Sequence, residues 1–186
     1  MLVVGLGNPG KEYANSRHNA GYIVLEQIAL YNDLSFSKST KYKSDIAKIL
    51  LLGKKIIFIK PLTYMNLSGT AVCLIKDFYK LQNYDIIVIH DDIDLPLGIV
   101  KLKVGGGSGG HNGLKSISSA IGDSYLRIKI GIGRPISEHL SVASYVLSDF
   151  LVAELTVLYS IARKIAENFE LAVQKQFSEF MFKIKN

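Results

Sequence analysis

MLVVGLGNPGKEYANSRHNAGYIVLEQIALYN, residues 1–32, indicates the fold class of this chain. Its residues 2–6 are a short apolar run, which is typical of a buried strand. After a polar loop, apolar residues recur at the spacing of one helix face as far as Asn32, namely Ala20, Val24, Ile28 and Tyr31. A buried strand that leads into an amphipathic helix is a building unit of α/β proteins.

The same alternation continues along the rest of the chain. Strands are predicted at residues 45–52 and 55–60, joined as a hairpin at Gly53-Lys54, and then at residues 85–90, 99–104 and 125–132. Helices are predicted at residues 68–81, up to Ile121, from Leu151 to Phe169, and near the end. We therefore expect an α/β fold with one domain over residues 1–186, a single-domain three-layer α/β/α sandwich with a mixed, twisted sheet.

The composition is that of a globular protein. Of the 186 residues, 48% are hydrophobic and 20% charged, which excludes a disordered or fibrous chain. No apolar segment approaches the ~18 residues that cross a bilayer, and the first residues resemble a strand, not a signal peptide. The single cysteine, Cys73, is expected to be a small buried core residue in a reducing compartment. We expect a soluble, cytoplasmic protein that does not bind membranes.

Positive charge is concentrated in two stretches of the sequence. The formal net charge is +6. Residues 35–60 contain seven lysines and one acid, and residues 93–134 contain six basic residues and two acids. Dense basic stretches favour an anionic partner such as a phosphate backbone.

Polar side chains capable of chemistry follow four of the predicted strands. Ligands of open α/β sheets bind beyond the carboxyl ends of the strands, so we expect these loops to meet at one site. The first three loops contain Asn8, Tyr13, Arg17 and His18, then Tyr64, Met65 and Asn66, then His90, Asp91, Asp92 and Asp94. The fourth is a glycine-rich loop, residues 105–110, followed by His111 and Asn112.

These residue types suit ester hydrolysis by directly activated water. A histidine such as His18 has a pKa near ~6.5 and can accept a proton from water at neutral pH. A carboxylate such as Asp91 would orient the imidazole and stabilise its charged form. Amide groups could hold the scissile carbonyl and donate to the developing oxyanion, and the candidates are Asn8, Asn66 and Asn112. An activated ester requires neither a metal ion nor a covalent intermediate.

Five segments together resemble the bacterial-type peptidyl-tRNA hydrolase family. They are VVGLGNPGKEYANSRHNAGY (residues 3–22), KPLTYMNLSG (60–69), HDDIDLPLG (90–98), GGGSGGHNGLKSI (105–117) and RIKIGIGRP (127–135). The resemblance runs in register from residue 1 to about residue 150, and the helical tail is compatible with it. It implies hydrolysis of the ester between a peptide and its tRNA, a monomer, and no cofactor.

The resemblance also assigns roles to particular positions. It implies that His18 is the catalytic base, that Asp91 stabilises its basic form, and that Asn8 helps to distinguish blocked from unblocked aminoacyl-tRNA. Substrate contacts are implied for Tyr13, Tyr64, Met65, Asn66, His111 and Asn112, and contacts to the tRNA 5′-phosphate for Lys103 and Lys129.

Three positions depart from the family pattern. Ser108 stands where histidine is frequent, Tyr64 where phenylalanine is common, and Lys129 where arginine is common. The lysine replaces a planar fork by a point charge, so phosphate geometry would be read less sharply. None of the three removes a residue that the mechanism requires.

Two other kinds of enzyme fit parts of the sequence. Gly5 to Gly10 match the G-x-G-x-x-G pattern of dinucleotide-binding oxidoreductases, but Pro9 interrupts the loop and the helix is expected to begin only near Arg17. Residues 106–110 match G-x-S-x-G, which would make Ser108 the nucleophile of a serine hydrolase with His139 further along. A loop this rich in glycine matches many glycine patterns.

Two further alternatives concern metal ions and RNA. His90, Asp91, Asp92 and Asp94 could ligate a cation together with His18 or His111, although successive residues of a strand point in different directions. A non-catalytic tRNA-binding protein would explain the basic stretches but not the histidine, carboxylate and amide groups. We expect no metal.

Overall fold

The computed structural model describes residues 1–135 and 139–185, which form a seven-stranded sheet with helices on both faces. The strands are β1 (Leu2–Gly5), β2 (Ser37–Ser39), β3 (Ser44–Leu51), β4 (Lys54–Pro61), β5 (Ile86–Asp92), β6 (Val100–Val104) and β7 (Leu126–Gly131). The helices are α1 (Ala20–Tyr31), α2 (Ser68–Phe78), α3 (Asn112–Ile121), α4 (Val142–Leu147), α5 (Val152–Glu167), α6 (Phe169–Val173) and α7 (Phe177–Lys185).

The sheet is mixed, as predicted. Its strand order is β2-β3-β4-β1-β5-β7-β6. The four central strands β4, β1, β5 and β7 are parallel, whereas β2, β3 and β6 pair antiparallel with their neighbours. The carboxyl ends of β1, β4, β5 and β7 therefore meet at one edge of the sheet, where a ligand site is expected.

Apolar side chains alternate between the two faces of the central strands and bury two cores. Val3 and Phe58 face the layer of α1 and α5 to α7, whereas Val4 and Ile57 face α2 and α3. Because every face of the sheet is covered by helices, the central strands are apolar on both sides. The predicted three-layer α/β/α sandwich is confirmed.

The predicted hairpin is confirmed, but its turn lies one residue earlier. Leu52 and Gly53 form the turn, with φ of 51° and 72°. Positive φ at both central residues is the backbone conformation of a type I′ turn, which matches the twist of the two strands. Helix α2 ends before the predicted residue 81, because Lys80 adopts a φ of 52° and Leu81 N–H donates back to the Lys76 carbonyl.

The C-terminal helices differ from the prediction of one long helix to Phe169. The side chain of Asn168 donates to the Lys164 carbonyl at 2.9 Å, and the helix is interrupted at this residue, between α5 and α6. Strand β2 and helix α4 were not predicted, because each is too short to show a period. Cys73 is only half-buried and contacts Asp77, so its prediction as a buried core residue is wrong. In the described part of the chain, no helix combines the length and apolar character that a membrane crossing requires.

Strand β6 runs opposite to the direction that the loop prediction assumed. Val104 pairs with Leu126 at the start of β7, far from the edge where β5 ends. Only residues 93–99 separate β5 from β6, whereas a parallel crossover needs about a dozen residues or more. The glycine-rich loop therefore begins at the edge opposite the carboxyl ends of the parallel strands. It must run back along the sheet to reach the other loops.

Candidate active site

The loop after β1 is held by a network around Asn8. Asn19 accepts from the Asn8 backbone N–H at 2.8 Å and donates to the Asn8 carbonyl at 3.0 Å. The Asn8 side-chain oxygen accepts from the Met65 N–H at 2.8 Å, which joins this loop to the one after β4. Because the oxygen is used in this way, the buried Asn8 side chain has its NH₂ group left as a donor.

A buried pair joins His18 to Asp91. His18 lies in a short 3-10 turn, residues 17–19, directly before α1, and Asp91 lies near the end of β5. The Nδ1 atom of His18 is 2.9 Å from one carboxylate oxygen of Asp91 and 3.1 Å from the other. A carboxylate accepts only, so His18 Nδ1 carries the proton and its Nε2 has a free lone pair.

His111 binds the same carboxylate oxygen of Asp91 as His18 does. Its Nε2 lies 3.0 Å from Asp91 Oδ1, and its Nδ1 accepts from the backbone N–H groups of Gly113 at 3.1 Å and Leu114 at 3.4 Å. His111 is thus the N-cap of α3, and the cap fixes its tautomer with the proton on Nε2. Both ring nitrogens of His111 are engaged within the protein.

The electrostatics of the pair favour a charged His18 beside an ionised Asp91. Burial alone lowers the pKa of His18, but the adjacent Asp91 carboxylate and its hydrogen bond outweigh it, so the pKa is raised overall. Burial would raise the pKa of Asp91, yet the two histidines bring it well below its usual range. Asp91 therefore stays ionised over the range in which His18 gains and loses its proton.

His90 is a third histidine beside the pair, and it is fully buried. Its Nδ1 donates to the Asp91 carbonyl at 2.6 Å, and its ring packs edge-on against His111 at 5.1 Å. Its Nε2 is buried without a hydrogen-bond partner among the described residues. Burial, aided by repulsion from His111, lowers the pKa of His90 to about 3, so this ring is neutral at pH 7.

A cavity of about 470 Å³ opens beside His18 and Asp91. Its polar wall includes Asn112, Lys103 and Lys129, and its apolar wall is the face of α4 formed by Val142, Ala143 and Val146. The glycine-rich loop covers one side, from Gly107 to Gly110.

Two basic residues of β7 are held by different partners. The ammonium of Lys129 pairs with Asp92 at 2.5 Å. The buried Arg127 guanidinium donates to the carbonyls of Gly106 at 2.7 Å and Gly107 at 2.8 Å, and this anchors the loop on its return path. Sequence reasoning did not single out Arg127, although it alternates with apolar residues of β7 and faces the same side as Lys129.

The remaining candidates lie further from the pair. Asn66 lines a second cavity, of about 690 Å³ between α2 and α3, and Asn112 lies in the walls of both cavities. Met65 is buried against Gly113. Tyr64 is 61% exposed and Tyr13 partly exposed, and both lie outside the described walls of the two cavities.

The two basic stretches lie at opposite edges of the sheet. Lys103 and Lys129 belong to β6 and β7, whereas the stretch of residues 35–60 runs through β2, β3 and β4. Within residues 35–60, Lys60 pairs with Glu26 at 2.6 Å, and Lys48 lies over the Tyr79 ring at 5.9 Å. Of the two stretches, only residues 93–134 contribute described residues to the wall of the cavity beside His18.

The geometry tests the competing kinds of enzyme. Helix α3 begins at Asn112, four residues after Ser108, so the serine does not lie on the strand-to-helix turn of a nucleophile elbow. Likewise α1 begins at Ala20, too far from residues 5–10 to direct its N-terminal amides at a pyrophosphate.

The acidic residues considered as metal ligands in the alternative reading diverge. Asp92 pairs with Lys129 and Asp94 with Arg134 at 2.5 Å. His18, Asp91 and His111 do come together, with potential ligand atoms within 4.8 Å. Their short contacts are two N–H groups directed at one carboxylate, and hydrogen bonding accounts for this arrangement without an ion.

An α/β sandwich with a carboxylate-bound histidine beside a cleft lined by cations is the arrangement expected of a hydrolase that activates water by a general base. The family model described as peptidyl-tRNA hydrolase matches residues 2–186. Curated peptidyl-tRNA hydrolases of Rickettsia felis and Rickettsia prowazekii are each 51% identical to this chain over 184 residues, covering 99% of both sequences. The crystal structure of peptidyl-tRNA hydrolase from Acinetobacter baumannii superimposes with a TM-score of 0.92 at 37% identity, covering 98% of this chain and 93% of that one. The chain belongs to the peptidyl-tRNA hydrolase family.

Proposed function

We propose that this enzyme hydrolyses the ester bond between the peptide, an N-blocked aminoacyl group, and the 3′-terminal ribose of peptidyl-tRNA, releasing free tRNA for translation. The observation that carries the proposal is the His18–Asp91 pair beside a cleft lined by lysines, in a chain of this family. The lone pair of His18 Nε2 accepts no hydrogen bond from the residues that the structure describes.

In the proposed reaction His18 acts directly on water. Its Nε2 takes one proton while the water oxygen attacks the ester carbonyl, and the Asp91 carboxylate stabilises the imidazolium that forms. The tetrahedral intermediate collapses with cleavage of the bond to the ribose oxygen. That oxygen takes the proton back from His18, which leaves a free peptide carboxyl group, a tRNA hydroxyl group and the original base.

Asn8 is the amide that we assign to the oxyanion. Its oxygen is held by the Met65 N–H and its backbone by Asn19, so its NH₂ group is oriented before substrate arrives. A preorganised donor stabilises developing charge without the cost of reorganisation. Asn66 is exposed, and its side chain has no such support from the described residues, which favours Asn8.

Asn112 and Asn66 are assigned to the peptide. They lie on the walls of neighbouring cavities, and Asn112 is common to both. Amides placed along the first peptide bond would bind an acylated nitrogen and match a free ammonium poorly. Met65 and His111 would then support this region through packing and the Asp91 hydrogen bond, and Tyr13 and Tyr64 would contact substrate from the exposed rim.

Lys103 and Lys129 are assigned to the tRNA 5′-phosphate. Both lie on the cleft wall, and Arg127 holds the loop beside them. Lys129 must share its charge between phosphate and Asp92, which makes Lys103 the stronger contact. We further propose that the enzyme acts as a cytoplasmic monomer and that this chemistry requires no cofactor.

The test compares N-acetylated with free aminoacyl-tRNA as substrates, using wild-type protein and His18→Ala. We expect cleavage of the N-acetylated substrate only, and a fall in kcat of about 10² or more in the variant, the size expected for loss of a general base. Binding of tRNA should survive, because His18 makes no phosphate contact in this proposal. Wild-type turnover by His18→Ala would refute the assignment of the base. Equal cleavage of both substrates would refute the proposed specificity.

A further inference from the structure

Arg17, the neighbour of His18, is a buried cation whose guanidinium group makes several hydrogen bonds. It is 6% exposed. One terminal nitrogen of its guanidinium donates to the Ser148 carbonyl at 3.3 Å, to Ser148 Oγ at 2.9 Å and to the Asp149 carbonyl. The other donates to Glu154 at 2.6 Å. Ser148 and Asp149 lie in the junction between α4 and α5, and Glu154 lies in the first turn of α5.

The backbone makes the same connection. Arg17 N–H donates to the Ser148 carbonyl at 3.1 Å, Phe150 N–H donates to the Asn15 carbonyl at 2.9 Å, and Ser16 forms an antiparallel bridge with Asp149. The turn that carries His18 is therefore held along the α4–α5 junction.

Stability alone gives a weak reason for this arrangement. The desolvation of a buried ion pair offsets most or all of its attraction, and apolar replacements of such pairs are frequently as stable. The Nε of Arg17 is also buried without a partner in the described part of the chain. What the planar fork supplies is direction, because its two nitrogens bind different acceptors at fixed angles.

The junction also contacts the cleft. The Arg17 guanidinium stacks over the Tyr145 ring at 4.5 Å and over the Phe150 ring at 5.3 Å. Tyr145 belongs to α4, which also contributes Val142 and Val146 to the cavity wall. One side chain thus ties the cleft wall to the turn that carries His18.

We propose that Arg17 is a positioning residue for His18. It sets the angle at which the imidazole meets Asp91, and it fixes the position of the imidazole relative to α4. The proposal rests on the proposed function, since it takes His18 to be the base. Arg17 acts only through His18, because it lies beneath α4 and is itself outside the described cavity wall.

The decisive variant is Arg17→Lys, which keeps the charge and removes the fork. We expect kcat to fall by about 10-fold, since small misplacements of a catalytic group are costly, while KM changes by less than about twofold. The acid limb of the kcat/KM profile should move to lower pH, because a loosened Asp91 contact supports the imidazolium less and the pKa of His18 falls. A role confined to the scaffold would reduce the amount of active enzyme equally at every pH and leave that limb in place.

Ser148→Ala and Arg163→Lys complete the design. Ser148→Ala removes one acceptor of the Arg17 guanidinium and should shift the acid limb of the kcat/KM profile in the same direction by a smaller amount. If Arg17→Lys does not fold, the acid limb of Ser148→Ala tests the positioning role. Arg163 is an exposed arginine paired with Glu167, so Arg163→Lys should match wild type. An unmoved acid limb in the folded variants overturns the inference about Arg17. Retained turnover in His18→Ala would instead overturn the proposed base, so the two failures are distinguishable.

Discussion

At the scale of single residues, the site is organised around Asp91, whose carboxylate binds His18 and His111. The two imidazoles differ in what their second nitrogen does. That of His111 caps α3, whereas that of His18 remains available. A carboxylate shared by two donors is stabilised in its charged form, and it pulls less strongly on either proton than an unshared one. This division explains why one histidine suits the role of base and the other a supporting role.

Asp91→Asn tests the pair directly. His18 must be neutral to accept a proton, so activity is lost as the pH falls through its pKa. Asp91 raises that pKa against the effect of burial, and without the carboxylate burial dominates. The acid limb of the pH–rate profile should therefore move to lower pH, and kcat should fall clearly but less than in His18→Ala. An acid limb that stays in place would show that Asp91 does not control His18.

The candidate residues of the site were predictable from the sequence, but the hydrogen bonds between them were not. The motifs identify His18, Asp91 and Asn8 as candidates. The roles of Asn19, which clamps the Asn8 backbone, and of the nitrogens of His111 depend on distances and angles that are set only when the loops fold. No local pattern records which nitrogen of a histidine carries the proton.

At the scale of elements, α1 fixes the turn that carries His18 because it packs directly on the sheet. A Cβ atom at Gly21 would lie 2.3 Å from the Ile89 carbonyl oxygen and 2.5 Å from the Leu6 nitrogen. Only glycine allows this approach, and it occurs in the first turn of the helix, three residues after His18.

Gly21→Ala should therefore displace α1 and lower the free energy of unfolding by roughly 1–3 kcal/mol, the usual range for overpacking. Activity should fall with it, since the turn of residues 17–19 must move. Gly107→Ala is the matched control for stability, because nothing lies within 4 Å of its Cβ position. Chemical denaturation of both variants checks the prediction, and equal stabilities would contradict the close packing of α1.

The long elements were predicted, apart from the ends of α2 and α5, whereas β2 and α4 were missed and the direction of β6 was not foreseen. The continuous apolar run of β5 and the helical spacing of apolar residues in α1 are both long enough to recognise, so both were found. Helix α4 has six residues and therefore less than two turns of signal, yet it forms a wall of the cavity. The direction of β6 follows from the short connection before it, which sequence reasoning did not weigh.

At the scale of the whole molecule, the sheet separates the two basic stretches, and this has a consequence for RNA binding. In the proposed function only the β6–β7 edge holds the acceptor end. Lys103→Ala should weaken tRNA binding and reduce the slope of log Kd against log salt by up to ~1, as expected for one lost phosphate contact. Lys48→Ala, at the other edge, should leave both unchanged. Equal effects of the two substitutions would show that RNA contacts both edges.

The buried His90 gives the whole fold a dependence on pH that is separate from catalysis. Its pKa is lowered to about 3 in the folded protein, against 6.5 when exposed. Between these values the unfolded chain binds a proton that the folded protein excludes, so stability from this residue is complete above pH 6.5 and decreases as the pH falls towards 3. The loss between pH 7 and pH 5 should be about 2 kcal/mol from His90 alone.

His90→Gln removes this titration, because an amide side chain gains no proton in this pH range. Its stability should therefore depend less on pH than that of wild type, with the difference appearing below pH 6.5. The raised pKa of His18 acts in the opposite direction, because the folded state then binds its proton more tightly. That contribution is present in both proteins and cancels in the comparison. Urea denaturation of wild type and His90→Gln at pH 7 and pH 5 measures the effect, and parallel losses of stability would show that His90 gains a proton without unfolding.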